Sequence, residues 1–300
     1  MMYKYGDTNI SENYIREKNL NILKILLIDR TTSTDNKVRN IIWGNNNYIK
    51  YGRKLYSEKS QILPELITGI NGNIIMPRAL KDRYIKKKRT RSKAEVFTPS
   101  WIVKSQNDQI DRLYNDEDIN SYVSRTFLEI TCGEAPYVAS RYDMDTGEKI
   151  SLNNRVGFLD RKLKIINYKI NDYEVWVDLV EKSYKSCFGY EWNGDSLLIA
   201  RENILYTFID FFYEKWKHFP DNELLKYIAE VISYNFFQMD GINNIVPFSD
   251  NKEIHGNEQL TLDVFENEKV GAEIKINKNH GKKVKIMNWE KNRMENFDLK

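Results

Sequence analysis

From about residue 98 to residue 240, short apolar runs of strand length alternate with longer segments of helical spacing. Arg125-Thr-Phe-Leu-Glu-Ile130, Arg155-Val-Gly-Phe-Leu-Asp160, Cys187-Phe-Gly-Tyr-Glu191 and a stretch near residues 230–234 read as strands. Helical patterns begin at residues 137–142 and recur over 173–185, 196–205 and 206–218. The last of these breaks at Pro220, and a further helix opens after Asp221. A chain built this way carries each strand back to the sheet through a helix. The pattern therefore predicts an α/β fold with helices on both faces of the sheet. Thr98-Pro99 marks a helix start, with threonine as cap and proline at the first helical position. Upstream, residues 11–30 have the spacing of an amphipathic helix that turns apolar nearly all round toward its end. Residues 272–277, 279–281 and 283–289 read as a C-terminal hairpin.

The chain of 300 residues is long enough for one large domain, or for a core domain with a smaller helical one, and its 41% hydrophobic share can fill such a core. A basic run sets a boundary near residue 92: Lys81, Arg83, Lys86, Lys87, Lys88, Arg89, Arg91 and Lys93 meet only Asp82. Residues 1–92 are read as a largely helical, basic region and residues 93–300 as the main domain. The run suits neutralising phosphates along a duplex and equally suits a solvated linker, while the net charge of +3 diagnoses no partner. Cys132 and Cys187 make no disulfide framework and no metal-ligand spacing with His218, His255 or His280. Reduced thiols in a cytoplasmic protein, with no metal, are expected. No apolar run predicts a membrane span, and the first residues lack the apolar stretch of a secretory signal.

Glu129-Ile-Thr-Cys-Gly-Glu-Ala-Pro136 follows a strand and precedes helical spacing, the setting in which a tight turn lets main chain approach a cofactor. An acid at the end of a later strand can then accept bonds from both hydroxyls of a ribose. Glu191 and Asp160 both end strand-like runs. Glu191 requires an insertion at about residues 143–185 between the turn and the acid.

Four blocks occur in one order: Glu95-Val-Phe-Thr-Pro-Ser-Trp101, Phe127-Leu-Glu-Ile-Thr-Cys-Gly133, Phe188-Gly-Tyr-Glu191 and Ile232-Ser-Tyr-Asn-Phe-Phe-Gln238. In this order they resemble the signature blocks of adenine-specific DNA methyltransferases, among them type I modification subunits and bacterial chains labelled restriction endonuclease subunit M. The resemblance covers about residues 93–242. It implies a Rossmann-like methyltransferase sheet using S-adenosylmethionine, with residues 93–300 as the catalytic domain of the modification component of a restriction-modification system. Phe97, Thr98 and Pro99 would then lie by the methionine end of the cofactor, and Glu129 would face its ammonium group. Thr131, Cys132 and Gly133 would form the close turn, with Ala135 where the family has a second glycine. Glu191, with Trp192 beside it, would hold the ribose; its downstream Leu, Ala and Asn also match the family, and Asp160 is the rival acid.

The exocyclic amine of adenine is a poor nucleophile because its lone pair is delocalised into the ring. The family places two carbonyl acceptors on its hydrogens and an aromatic face on the flipped base, using Asn/Asp-Pro-Pro followed by an aromatic residue. The matching place here reads Asn235-Phe-Phe-Gln238. The resemblance gives Asn235 the amide acceptor and Phe236 the backbone carbonyl, with Phe237 or Tyr234 as the stacking ring and Gln238 where the family's aromatic stands. Lys86, Lys87, Lys88, Arg89 and Arg91 would meet the phosphates of double-stranded DNA. Too few residues follow Gly241 for a target-recognition domain, so a separate specificity subunit, or the N-terminal region, is expected to read the target. The alternative is a catalytically degenerate methyltransferase-like protein that binds cofactor, DNA or a partner without methyl transfer. Methylation of RNA or protein is a third reading.

Overall fold

The computed structural model describes residues 19–81, 98–114, 117–250 and 281–298. Three strands, β1 (Phe127–Glu129), β2 (Cys187–Glu191) and β3 (Phe236–Gln238), pair in parallel in the order β1-β2-β3. Glu129 pairs with Gly189, Gly189 with Phe236, and Glu191 with Gln238. Parallel neighbours require long crossovers. The first contains helices α6 (Phe158–Lys169) and α7 (Tyr173–Lys185), and the second contains α8 (Gly194–Trp216) and α9 (Asn222–Asn235). Ahead of the sheet lie α1 (Leu20–Leu27), α2 (Arg53–Tyr56), α3 (Pro64–Ile67), α4 (Ser100–Asp111) and α5 (Ile119–Ser124). A hairpin of β4 (Lys285–Asn288) and β5 (Arg293–Asn296) closes the described chain.

Short carboxylates start three of these helices: Asp118 accepts from the N–H groups of Asn120 and Ser121, Asp172 from Val175, and Asp221 from Leu224. Helix α8 is buried from Gly194 to Phe212, so helices and sheet are assembled around it. The same hydrophobic cluster takes in Ile22, Leu23, Leu26, Ile41 and Trp43, so residues 19–81 share the main core. No helix among the described residues is long and apolar enough to cross a membrane.

Several local expectations are corrected. The helical patterns at 196–205 and 206–218 form one helix of 23 residues, because nothing at their junction interrupts the hydrogen-bond ladder. It ends at Lys217, which adopts a left-handed φ of 59°. The strand expected near residues 230–234 is the last turn of α9, since Ile228, Val231, Ile232 and Asn235 are buried at helical spacing. Residues 155–160 form no strand; α6 begins at Phe158, and Asp160 Oδ2 accepts from Gly157 N (3.1 Å). Residues 137–142 form no helix: a turn covers 136–138, and Tyr142 makes an antiparallel bridge with Lys149. The supposed insertion contains the crossover helices α6 and α7, which supply Leu159, Leu163, Ile166 and Trp176 to the core. The hairpin lies further along the chain than expected, turning through a left-handed Asn292; residues 272–280 are outside the described ones.

On one face of the sheet Leu128, Tyr190 and Phe237 pack with Met239, just after β3, and with Val284, Ile286 and Phe297 from the C-terminal segment.

Arg201, fully buried on α8, ties this arrangement together. Its guanidinium donates to the carbonyls of Leu26 (2.6 Å) and Ile28 (3.0 Å) at the end of α1, and of Ser233 (3.1 Å) and Phe236 (2.5 Å) at the end of α9. Leu26 and Ser233 lie in the last turns of their helices, where carbonyls have no partner inside the helix, and Ile28 and Phe236 follow directly after the helix ends. Burial pulls the Arg201 pKa down to about 9, against the pull of Asp29. Replacing Arg201 by Met is expected to cost roughly 3–5 kcal/mol, because buried carbonyls lose their donors together. Urea unfolding of Arg201→Met checks this; an unchanged midpoint would mean the carbonyls find other partners.

Candidate functional site at the carboxyl edge of the sheet

Gly189 lies at the centre of the sheet, beneath the turn that follows β1. A Cβ there would stand 2.8 Å from the Phe236 ring and 3.2 Å from the Cys132 Cβ, so the missing side chain lets the turn close over β2. Cys132 N then donates to Tyr190 O at 2.8 Å. Within the turn Thr131, Gly133 and Ala135 take left-handed φ values of 47°, 55° and 59°. This backbone points Gly133 N toward the acid at the end of β2. Ala135 is fully buried and adopts glycine-like backbone at a cost of about 1 kcal/mol.

Two carboxylates converge here. Gly133 N donates to Glu191 Oε2 at 2.9 Å, and Asn193 donates to Glu191 Oε1 through both its N and its Nδ2 at 3.0 Å. Glu129 accepts from Tyr137 N (3.3 Å) and Val138 N (3.2 Å). Burial raises the Glu129 pKa to about 8, against these two N–H groups and with help from the Glu191 charge. Burial likewise raises Glu191, opposed by the N–H groups of Asn193 and Gly133. Glu134 anchors the turn from behind, accepting from Arg78 N and Tyr142 Oη at 2.7 Å each.

Glu129, Cys132, Gly133 and Glu191 are thus brought together at one edge of the sheet, although 58 residues separate Gly133 from Glu191. Asp160 is not: it lies inside α6, fully buried, accepting from Ser140 N (2.8 Å) and Ser140 Oγ (3.1 Å), which removes it as the ribose acid. Trp192 leaves the edge to donate from Nε1 to Gly44 O (2.7 Å) and pack edge-on to Phe248. Pro99, not Thr98, is the cap residue of α4, and it makes no side-chain cap. That helix start faces protein, since Ser100 N donates to Asp143 Oδ2 (3.3 Å). Burial pushes Asp143 up, but the N–H groups of Thr146, Asp145 and Ser100 outweigh it and hold the carboxyl at about 2. Phe97, Lys86, Lys87, Lys88, Arg89 and Arg91 lie outside the described residues.

The block at residues 235–238 is not assembled into this site. Asn235 precedes β3, at the amino edge of the sheet, where its Nδ2 reaches the carbonyls of Tyr184 (2.9 Å) and Cys187 (3.0 Å) and its Oδ1 accepts from Trp289 Nε1 (2.8 Å). Cys187 and Glu191 are the two ends of β2, about 13 Å apart at strand rise. The Phe236 carbonyl is taken by Arg201, and Phe237 packs between Tyr190 and Phe297. Gln238 does reach the carboxyl edge, but its carboxamide bonds Ile42 N (2.9 Å), Ile42 O (2.9 Å) and Trp192 O (2.7 Å), standing in for a further strand.

Sequence reasoning missed Asn193, although a turn-forming residue two positions after the strand-end acid is the available signal. Among the described residues no group of three His, Cys, Asp or Glu is placed to hold a metal ion. No family model, curated protein or solved structure matches the chain.

Two outcomes follow. Glu129 binds its proton more tightly folded than unfolded, so its contribution to stability is complete below about pH 4.5 and is lost as pH rises through about 8. Urea midpoints should fall across that window in the wild type and lose this component in Glu129→Gln; identical profiles would remove Glu129 as the titrating group. Asn235→Ala should destabilise the chain by roughly 2–4 kcal/mol, because buried carbonyls and an indole N–H lose their partner. A fully stable Asn235→Ala protein would contradict the structural role.

Proposed function

We propose that this chain binds S-adenosylmethionine at the carboxyl edge of β1 and β2, as a methyltransferase-like component of a DNA restriction-modification system, and transfers no methyl group through its Asn235 block. The observation that carries this reading is the 2.9 Å bond between Gly133 N and Glu191 Oε2. It joins the turn after the first strand to the acid after the second, the place where half of a doubly wound sheet holds a nucleoside cofactor. The order β1-β2-β3, with helices in each connection, supports the same comparison with one half of a Rossmann-like methyltransferase sheet.

The residues present fit the donor at both ends. Glu129 has acceptor positions beyond its two N–H partners, and its carboxyl, near neutrality at pH 7, gains from a ligand ammonium beside it. Glu191 has three protein donors on about four acceptor positions, leaving about one for a ribose hydroxyl. A bound donor supplies an electrophilic methyl group on a sulfonium. The chain's own part is to hold the two ends: the turn fixes Glu191 through Gly133, and Asn193 fixes its other oxygen.

Binding without transfer is favoured because Asn235 is held at the opposite edge and the Gln238 carboxamide is engaged by Ile42 and Trp192. Duplex DNA and a separate specificity subunit enter this reading through the resemblance alone.

Calorimetry with S-adenosylmethionine near about pH 6.5, in two buffers of different ionisation enthalpy, tests the site. Binding should release protons, since the donor's cation draws Glu129 toward its charged form. Glu191→Ala should weaken binding by roughly 1–3 kcal/mol. Absence of donor affinity would sink the reading. Methylated adenine produced from labelled donor by the purified chain would overturn its non-transfer half.

A further inference from the structure

A cavity opens on the flank of β3, away from β1, with a volume of about 250 Å³. At roughly 30 Å³ per water it holds about eight waters, room for a phosphate with a sugar or a base. Gln238 forms part of its wall at the carboxyl end of β3. Arg39 and Lys59 line it from two separate segments, and both are exposed. Neither makes an ion pair among the described residues, and the Lys59 ammonium hangs over the Phe248 ring at 5.4 Å. Asp29 is the single acid in the lining, and it is buried and occupied by Thr31 N (3.0 Å) and the Thr32 hydroxyl. The cavity therefore carries net positive charge.

Phe248 is the second, independent sign. A bulky aromatic residue is held at φ 59°, in backbone space that such residues avoid, and outliers of this kind cluster at ligand clamps. The strain sets its ring in the cavity wall, edge-on to Trp192 at 5.1 Å between centroids. Gln61 spends its Oε1 on Asn40 N (2.7 Å), and its amide nitrogen has no partner among the described residues. Two cations, an aromatic face and an amide donor are what one nucleotide asks for: phosphate, ring and base edge.

We propose that this cavity binds a nucleotide unit, its phosphate between Arg39 and Lys59 and its base against Phe248. Its lining shares no residue with Glu129, Gly133, Glu191 or Asn193, so it holds whether or not S-adenosylmethionine binds. The ligand is either a free mononucleotide or one unit of a single strand.

Anisotropy of a labelled single-stranded oligodeoxynucleotide, at low salt and without S-adenosylmethionine, tests it, with AMP and inorganic phosphate as competitors. Arg39→Glu/Lys59→Glu should weaken binding at least about tenfold, whereas Lys169→Glu/Lys226→Glu, of equal net charge on distant helices, should change it less than about twofold. Phe248→Ala should weaken AMP and oligonucleotide but not inorganic phosphate. Arg39 and Lys59 are exposed, so unchanged urea midpoints will show that the charge variants are folded. Competition by AMP assigns the free nucleotide, and binding of the oligonucleotide alone assigns the strand; both support the site. A wild type that binds neither, or charge variants that weaken binding equally wherever they lie, would overturn it.

Discussion

One buried guanidinium holds the layers of this protein in place. Arg201 sits in the middle of α8 and satisfies the last carbonyls of α1 and α9 together with that of Phe236 in β3. A fully buried cation is costly unless its hydrogens are all directed to acceptors. Here the acceptors are helix ends that would otherwise lack donors, so each need answers the other. The carboxyl edge depends on this arrangement, because β3 and α8 set the position of β2 and of the acid at its end.

Around that frame the two ends of β2 do different work. At the carboxyl end, Gly189 lacks a side chain, the turn closes, and Gly133 and Asn193 hold the Glu191 carboxylate. At the amino end, Asn235 joins the last turn of α7, the first residue of β2 and the C-terminal Trp289. One edge gathers polar groups that can meet a ligand. The other spends its polar groups on the protein itself.

The sequence made the first edge legible and misplaced the second. Glu129, Gly133 and Glu191 each end or follow a strand-like run, and a parallel sheet sends all such ends to one side. Asn235 also stood beside a strand-like run, but its strand begins after it, because α9 extends to Asn235 itself. A shift of a few residues in one helix end therefore moved a site residue across the sheet. Such boundaries depend on how α9 packs against α1, α7 and α8, and local spacing does not contain that information. Asp160 failed for the same reason: an acid after an apolar run reads as a strand end, while Ser140 and Gly157 make it the anchor of a helix start.

The sequence by itself determined the alternation of strands and helices, the glycine turn after β1 and the acid at the end of β2. These follow from side-chain periodicity, turn chemistry and the fixed direction of parallel strands, all of which act over short stretches. Only the tertiary structure decided which edge Asn235 occupies, that α8 is one buried helix, that the C-terminal segment covers one face of the sheet, and that Arg39 and Lys59 meet Phe248 in one cavity. Those outcomes rest on contacts between residues far apart in sequence, where packing and the pairing of buried polar groups override local preference.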